Sequence, residues 1–185
     1  MEKQLQNLLE SLENFQSQGN KRWNVPHETG NFLNLLIKAT RTKKVLEIGT
    51  SNGYSGIWIA AALKETGGKL ITVESHETRF NEASENFKKA GLTNYITQIK
   101  GHAPDCVNTN ETFDFMFFDA IKSEQPKYFS ALKNKLKVGG LIATDNLFSH
   151  NEELQEFIQI TDQDPAFQNS HVPIGTGVLL SLKVA

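Results

Sequence analysis

The chain has 185 residues, enough for one sizeable core and short for two. Its 19 Lys and Arg nearly balance its 21 Asp and Glu, giving a formal charge of -2, so no bulk field draws it to nucleic acid or an anionic membrane, and neither is expected as a partner. Cys106 is the only cysteine, which excludes an intrachain disulfide and a cysteine-built zinc site and suits a reducing cytoplasm. The polar start lacks the apolar core of a signal peptide, and no run approaches the ~18 apolar residues of a membrane span, so a soluble, cytoplasmic protein is expected.

Along residues 2–17, Leu5, Leu8, Leu9, Leu12 and Phe15 recur at spacings of three and four, one apolar face of a helix. Gly19 and Pro26 break the period, so 1–24 reads as a helical appendage to a single domain spanning 1–185. A second helix is expected over 27–40 with Phe32, Leu33, Leu35, Leu36 and Ile37 inward. From there strands at 44–48, 69–74, 96–100, 113–119 and 141–145 alternate with helices at 54–66, 76–90, 104–108 and 125–136, followed by a helix at 152–161. Such alternation specifies an α/β fold: a doubly wound, mostly parallel sheet with helices on both faces and its ligand at the strands' carboxyl ends. Near the C-terminus two apolar stretches meet at "PIGTG", which reads as an antiparallel strand pair closing the sheet.

The turn after the first strand, "VLEIGTSNGYSG", places Gly49 and Gly53 where absent side chains would let backbone N–H groups approach a ligand. Steric need alone explains such glycines as well. Glu47, at the strand's end, is expected to point into the same crevice, and Glu74 closes "LITVE" where a carboxylate can accept both ribose hydroxyls. A dinucleotide needs compensation for its pyrophosphate, usually a G-x-G-x-x-G turn; here an acid precedes "GTSNGYS". S-adenosylmethionine carries no phosphate but an ammonium, a carboxylate and a sulfonium, which suit an acid combined with Ser55 and backbone donors, so it is favoured over NAD.

A second constellation lies further on. "FDFMFFDAIK" ends with Asp119 and Lys122, and "LIATDN" with Asp145 and Asn146, all at the sheet's carboxyl edge. Two carboxylates and an amide oxygen suit Mg²⁺ or a similar hard cation; as spacing alone, helix caps and turns are an equal reading.

In this arrangement the chain resembles the cation-dependent small-molecule O-methyltransferases, the class I S-adenosylmethionine-dependent group that includes catechol and caffeoyl-CoA O-methyltransferases. The blocks "VPHETGNFLNLLIKAT", "VLEIGTSNGYSGIWIAAAL", "LITVE", "GHAPD", "FDFMFFDAIK", "KVGGLIATDN" and "PIGTGVLLSLK" fall in the family's order. The resemblance implies that Glu47, Gly49 and Ser55 hold the methionine part of the cofactor, with Thr50 and Asp119 in the same binding set. It implies that Glu74 holds the ribose, that Gly101 and Ala103 flank the adenine, and that Val25 covers the cofactor. Asp119, Asp145 and Asn146 match the metal ligands, and Lys122 the lysine that assists deprotonation of the acceptor hydroxyl. A homodimer is implied as well. Two departures stand out: Ile121 where the family often has a second acid, and only "LFSHN" between the Asp-Asn pair and the next helix.

The expected activity is methyl transfer to a hydroxyl of a small aromatic acceptor. The alternatives are a metal-independent transferase of another small acceptor, a non-catalytic cofactor-binding protein and a nicotinamide oxidoreductase. His27, His76, His102, His150 and His171 show no ligand spacing and read as caps or surface residues, with His150 within reach of the acceptor pocket. Trp23 and Trp58 read as packing residues.

Overall fold

A computed structural model of the chain describes residues 3–17 and 24–185, and the side chains of all of these except 15–17. Trp23 and the side chain of Phe15 therefore lie outside the described residues. Six α-helices and seven strands alternate as α1 (Lys3–Ser17), α2 (His27–Ala39), β1 (Lys44–Ile48), α3 (Tyr54–Thr66), β2 (Lys69–Glu74), α4 (Glu77–Lys89), β3 (Ile96–Lys100), β4 (Phe113–Phe118), α5 (Gln125–Leu132), β5 (Leu136–Asp145), α6 (Asn151–Gln163), β6 (Phe167–Val172) and β7 (Val178–Lys183). The strands form one sheet in the order β3-β2-β1-β4-β5-β7-β6, with β1 to β5 parallel and β7 antiparallel to both neighbours. None of the described helices is long and apolar enough to cross a membrane.

The central strands are apolar on both faces because helices cover both. Along β4, Phe115 and Phe117 pack with Val45, Trp58 and Leu33 on one side, while Met116 and Phe118 pack with Tyr128, Phe129 and Phe157 on the other. The C-terminal pair differs in one respect from a simple closing hairpin. The last strand, β7, lies inside the sheet between β5 and β6, and its "VLLSLK" is mostly buried where β6, "FQNSHV", is mostly not. The more apolar strand takes the interior position and the polar one the edge.

Three expectations need correction. Leu35 is 57% exposed, because α2 meets α3 along Gly30, Leu33, Asn34 and Ile37, and position 35 falls off that stripe. Residues 104–108 form turns without a helix, as expected of a piece too short to offset the cost of nucleation. The expected helix over 125–136 ends at Leu132, followed by a 3₁₀ turn at Lys133–Lys135, and β5 begins at Leu136, five residues before the expected strand. Leu136 pairs with Phe113 and Leu141 with Phe115, so 137–140 bulge out of the ladder.

Helix α1 docks Leu5 and Leu9 into the cluster that holds Leu33, Ile37 and Leu63, and Leu9 is 1% exposed. Replacing Leu9 by Ala should cost about 2–4 kcal/mol of stability, whereas Leu35→Ala should change it by less than about 0.5 kcal/mol. Urea denaturation of the two variants checks the difference.

Candidate active site

The strand order reverses between β1 and β4, and a cleft of about 910 Å³ opens there at the strands' carboxyl ends. Val25, before α2, borders it, as do Gly49, Thr50 and Ser55 after β1 and Glu74 at the end of β2. Gly101 and Ala103 border it after β3, Asp119 and Lys122 after β4, and Asp145 and Asn146 after β5. All of these but Val25 converge because each stands at or soon after the carboxyl end of a parallel strand.

The glycines of the first turn are there for packing. Gly49 has φ +103°, and a Cβ on it would lie 2.9 Å from backbone atoms of Asp119 and Ala120. Gly53 has φ +88°, and its Cβ would meet the Phe87 ring at 2.7 Å. Both positions need a conformation that L side chains rarely adopt, and both lie against a neighbouring segment.

Glu47 does not enter the cleft, contrary to the expectation that it points into the crevice. Val45 and Glu47 share one face of β1, which faces α3, so the carboxylate is fully buried beneath that helix's first turn. Ser55 Oγ donates to its Oε1 at 2.6 Å and Thr72 Oγ1 to its Oε2 at 2.6 Å. With that proton committed, Thr50 Oγ1 donates to Thr72 at 2.5 Å. Glu47 therefore acts as an anchor for Ser55 and, through Thr72, for Thr50, both of which do border the cleft.

Glu74 is placed differently. Its Oε2 accepts from the Ser51 backbone N–H and its Oε1 from that of His76, each at 2.8 Å, which fixes the carboxylate. Each oxygen keeps lone-pair capacity toward the cleft.

At the other end, Lys122 Nζ donates to Asp119 Oδ1 at 2.5 Å. Asp145, 1% exposed, accepts from Thr176 Oγ1 at 3.0 Å. Burial raises both carboxyls and Asp119 raises Asp145 further, pushing it up to about 7, while the Lys122 charge opposes the rise at Asp119. Asn146 has φ +70°, and its Nδ2 faces Ser149 Oγ at 3.2 Å and Thr176 Oγ1 at 3.3 Å. Among the described residues no three His, Cys, Asp or Glu side chains form a metal-ligand group; the candidate set is two carboxylates with an amide.

The sequence reading missed several cleft residues. His27 and His102 border the cleft, although they read as caps or surface residues, while His150 borders it as expected. His76 and His150 stand at helix N-caps without a side-chain capping bond. Tyr128 donates to Glu124 at 2.5 Å, and His102 meets the same carboxylate at 3.0 Å. Glu13 reaches the cleft from α1 and accepts a hydrogen bond from Tyr54. Thr176 lies in "PIGTG", whose composition signals only a turn. Trp58, 2% exposed, is a packing residue as expected.

Burial raises the Glu47 carboxyl to about 7 against the hydrogen bonds of Ser55 and Thr72. Between about 4.5 and 7 the unfolded chain releases this proton while the folded chain keeps it, so stability falls as pH rises through that window, by roughly 3 kcal/mol in all. Asp145 contributes in the same direction. Glu47→Gln should therefore lose less stability than the parent between about pH 5 and about pH 8, as urea denaturation at both values would show.

The chain matches the O-methyltransferase family over residues 2–184. It is 35% identical over 146 residues to a catechol O-methyltransferase of Niastella koreensis, covering 76% of this chain and 64% of that one. It is 30% identical over 180 residues to a caffeoyl-CoA O-methyltransferase of Populus kitakamiensis, covering 84% and 76%. Among solved structures, the O-methyltransferase from Bacillus cereus in complex with SAH superposes with a TM-score of 0.86 at 25% identity, over 99% of this chain and 91% of that one. Sequence, architecture and cleft agree, and the chain belongs to the O-methyltransferase family.

Proposed function

We propose that the protein transfers the methyl group of S-adenosylmethionine to a hydroxyl of a small aromatic diol of the catechol type, with a divalent cation held by Asp119, Asp145 and Asn146. The observation that carries this reading is the charge of the cleft. Its described wall presents five carboxylates, Glu13, Glu74, Asp119, Asp145 and Glu153, against two cations, Arg79 and Lys122. A pyrophosphate cofactor would be repelled there, whereas a sulfonium-bearing cofactor and a hard cation would be attracted.

The residues fit both groups. Glu74 is anchored by two backbone N–H groups and retains acceptor capacity for the two hydroxyls of a ribose. Ser55 and Thr50, oriented through Glu47, suit the amino-acid end, and Gly101 and Ala103 the adenine. Asp145 is a buried acid and Asp119 a partly buried one, and their charges repel, the condition a cation relieves. When bound, the cofactor supplies an electrophilic methyl group, and the cation favours the anionic form of the acceptor oxygen. Lys122, held against Asp119, places a positive charge where that oxygen gains negative charge and assists loss of its proton. Thr176 and Asn146 keep Asp145 in place.

The Asp119–Lys122 contact at 2.5 Å also favours a second reading, transfer without a metal, since one carboxylate already has its counter-charge. A chelator separates the two. With catechol as acceptor, excess chelator should abolish turnover, leave SAH binding within about twofold, and be reversed by magnesium. Full turnover in chelator would select the metal-independent reading.

Two variants test the assigned roles. Glu74→Ala should weaken SAH binding by about 2 kcal/mol or more in calorimetry, the scale of hydrogen bonds to a charged group. Lys122→Ala should keep SAH affinity while lowering the single-turnover rate by roughly 10²-fold or more.

A further inference from the structure

We infer that Glu124 is a positioning residue, which latches the turn that carries Lys122 to α5 and to the loop after β3 and so holds Lys122 over Asp119. The inference rests on the role proposed above for Lys122. Lys122 and Glu124 are the two ends of one short 3₁₀ turn. At one end Lys122 Nζ donates to Asp119 Oδ1 at 2.5 Å. At the other, Glu124 does not itself border the cleft, but both side chains that it meets, His102 and Tyr128, do.

The need for a latch follows from the side chain it serves. A lysine carries a compact charge on a flexible stem, so one contact with Asp119 does not fix where the ammonium stands unless the backbone beneath it is also held. Residues 119–124 lie between β4 and α5 and have only the 3₁₀ turn for regular structure. The Asp119 N–H donates to the Ile48 carbonyl at 3.0 Å, and the Glu124 N–H to the Ile121 carbonyl at 3.1 Å. The Glu124 carboxylate adds two ties from outside the segment. Tyr128 Oη donates to its Oε2 at 2.5 Å, and His102 Nε2 lies 3.0 Å from the same oxygen. Glu124 stands at the N-cap of α5 without a side-chain capping bond, so its carboxylate is not committed to the helix end.

Both partners are themselves fixed. Tyr128, 1% exposed, packs edge-on at 6.1 Å against Phe118, the residue before Asp119. The chain from Phe118 to Tyr128 is therefore closed on itself, by Lys122 on Asp119 and by Tyr128 on Phe118, with Glu124 bonded to Tyr128 between them. His102 belongs to the loop that holds Gly101 and Ala103, and Lys127 ties that loop to α5 again through Asp105 at 3.7 Å. The Tyr128 bond holds the Glu124 carboxyl below its ordinary value, and burial together with Glu124 raises the Tyr128 phenol. Acceptor and donor thus keep the charge-assisted form of the bond.

A double-mutant cycle tests this, with single-turnover rates on catechol at saturating S-adenosylmethionine and magnesium. Glu124→Ala should lower the rate about tenfold in the parent and less than about twofold in a Lys122→Ala background, with SAH affinity within about threefold in calorimetry. Glu124→Gln, which keeps an acceptor for Tyr128, should recover most of the rate. Amide hydrogen exchange should quicken at 119–124 in Glu124→Ala and stay unchanged in the strands. Equal rate losses in both backgrounds would assign Glu124 a role independent of Lys122, and an unchanged rate in the parent would remove it from the reaction; either overturns the inference. A parent inactive on catechol would overturn the acceptor reading instead, and exchange alone would then decide the latch: faster exchange at 119–124 supports it and unchanged exchange overturns it.

Discussion

Two carboxylates side by side, one buried and one partly so, set the terms for the rest of the site. β4 and β5 are neighbouring parallel strands with Phe118 opposite Thr144, so the next residues, Asp119 and Asp145, stand side by side at the strands' carboxyl ends at a strand spacing of ~4.8 Å. Their repulsion needs positive charge and donors. Lys122 returns over Asp119 through the 3₁₀ turn at Lys122–Glu124, and Thr176 donates to Asp145 from the connection between β6 and β7. That second contact explains why the C-terminal pair matters to the chemistry. Because Asp145 stands opposite Val178, insertion of β7 beside β5 brings the preceding turn over the cleft. Strand order, turn composition and the acid pair are thus consequences of one another.

The opposite wall is built on the same economy of anchoring. Glu47 lies out of reach of the cleft, yet it orients Ser55 directly and Thr50 through Thr72. Glu74 is itself held by the backbone of the turn that it borders. Ser55, Thr50 and Glu74 are therefore each backed by a group that fixes their direction, which limits the reorganisation that binding would demand.

Much of this was legible in the sequence, for definable reasons. Apolar runs ended by acids mark parallel strands buried on both faces, so β1, β2 and β4 and the convergence of Gly49, Glu74, Asp119 and Asp145 followed from pattern alone. The misreading of Glu47 came from treating a strand's end as a direction. The alternation of Val45 with Leu46 already separates the two faces, and Glu47 falls on the side of Val45. Leu35 shows the limit of apolarity as a guide to burial, because the partner helix selects the stripe. Glu13 left no local signal: in an amphipathic helix it is an ordinary polar position, and only the docking angle of α1 brings it to Tyr54. Thr176 and His102 were hidden likewise, as turn residues whose neighbours come from distant strands.

The central claim is that the acid pair at the tips of β4 and β5 holds a hard cation beside the cofactor. Manganese, as a paramagnetic stand-in for magnesium, can be titrated into the protein saturated with SAH while the spectrum of free Mn²⁺ is followed by electron paramagnetic resonance. The account predicts a single class of sites that removes Mn²⁺ from solution and is lost in Asp145→Asn. A protein that keeps SAH but leaves all Mn²⁺ free would contradict it.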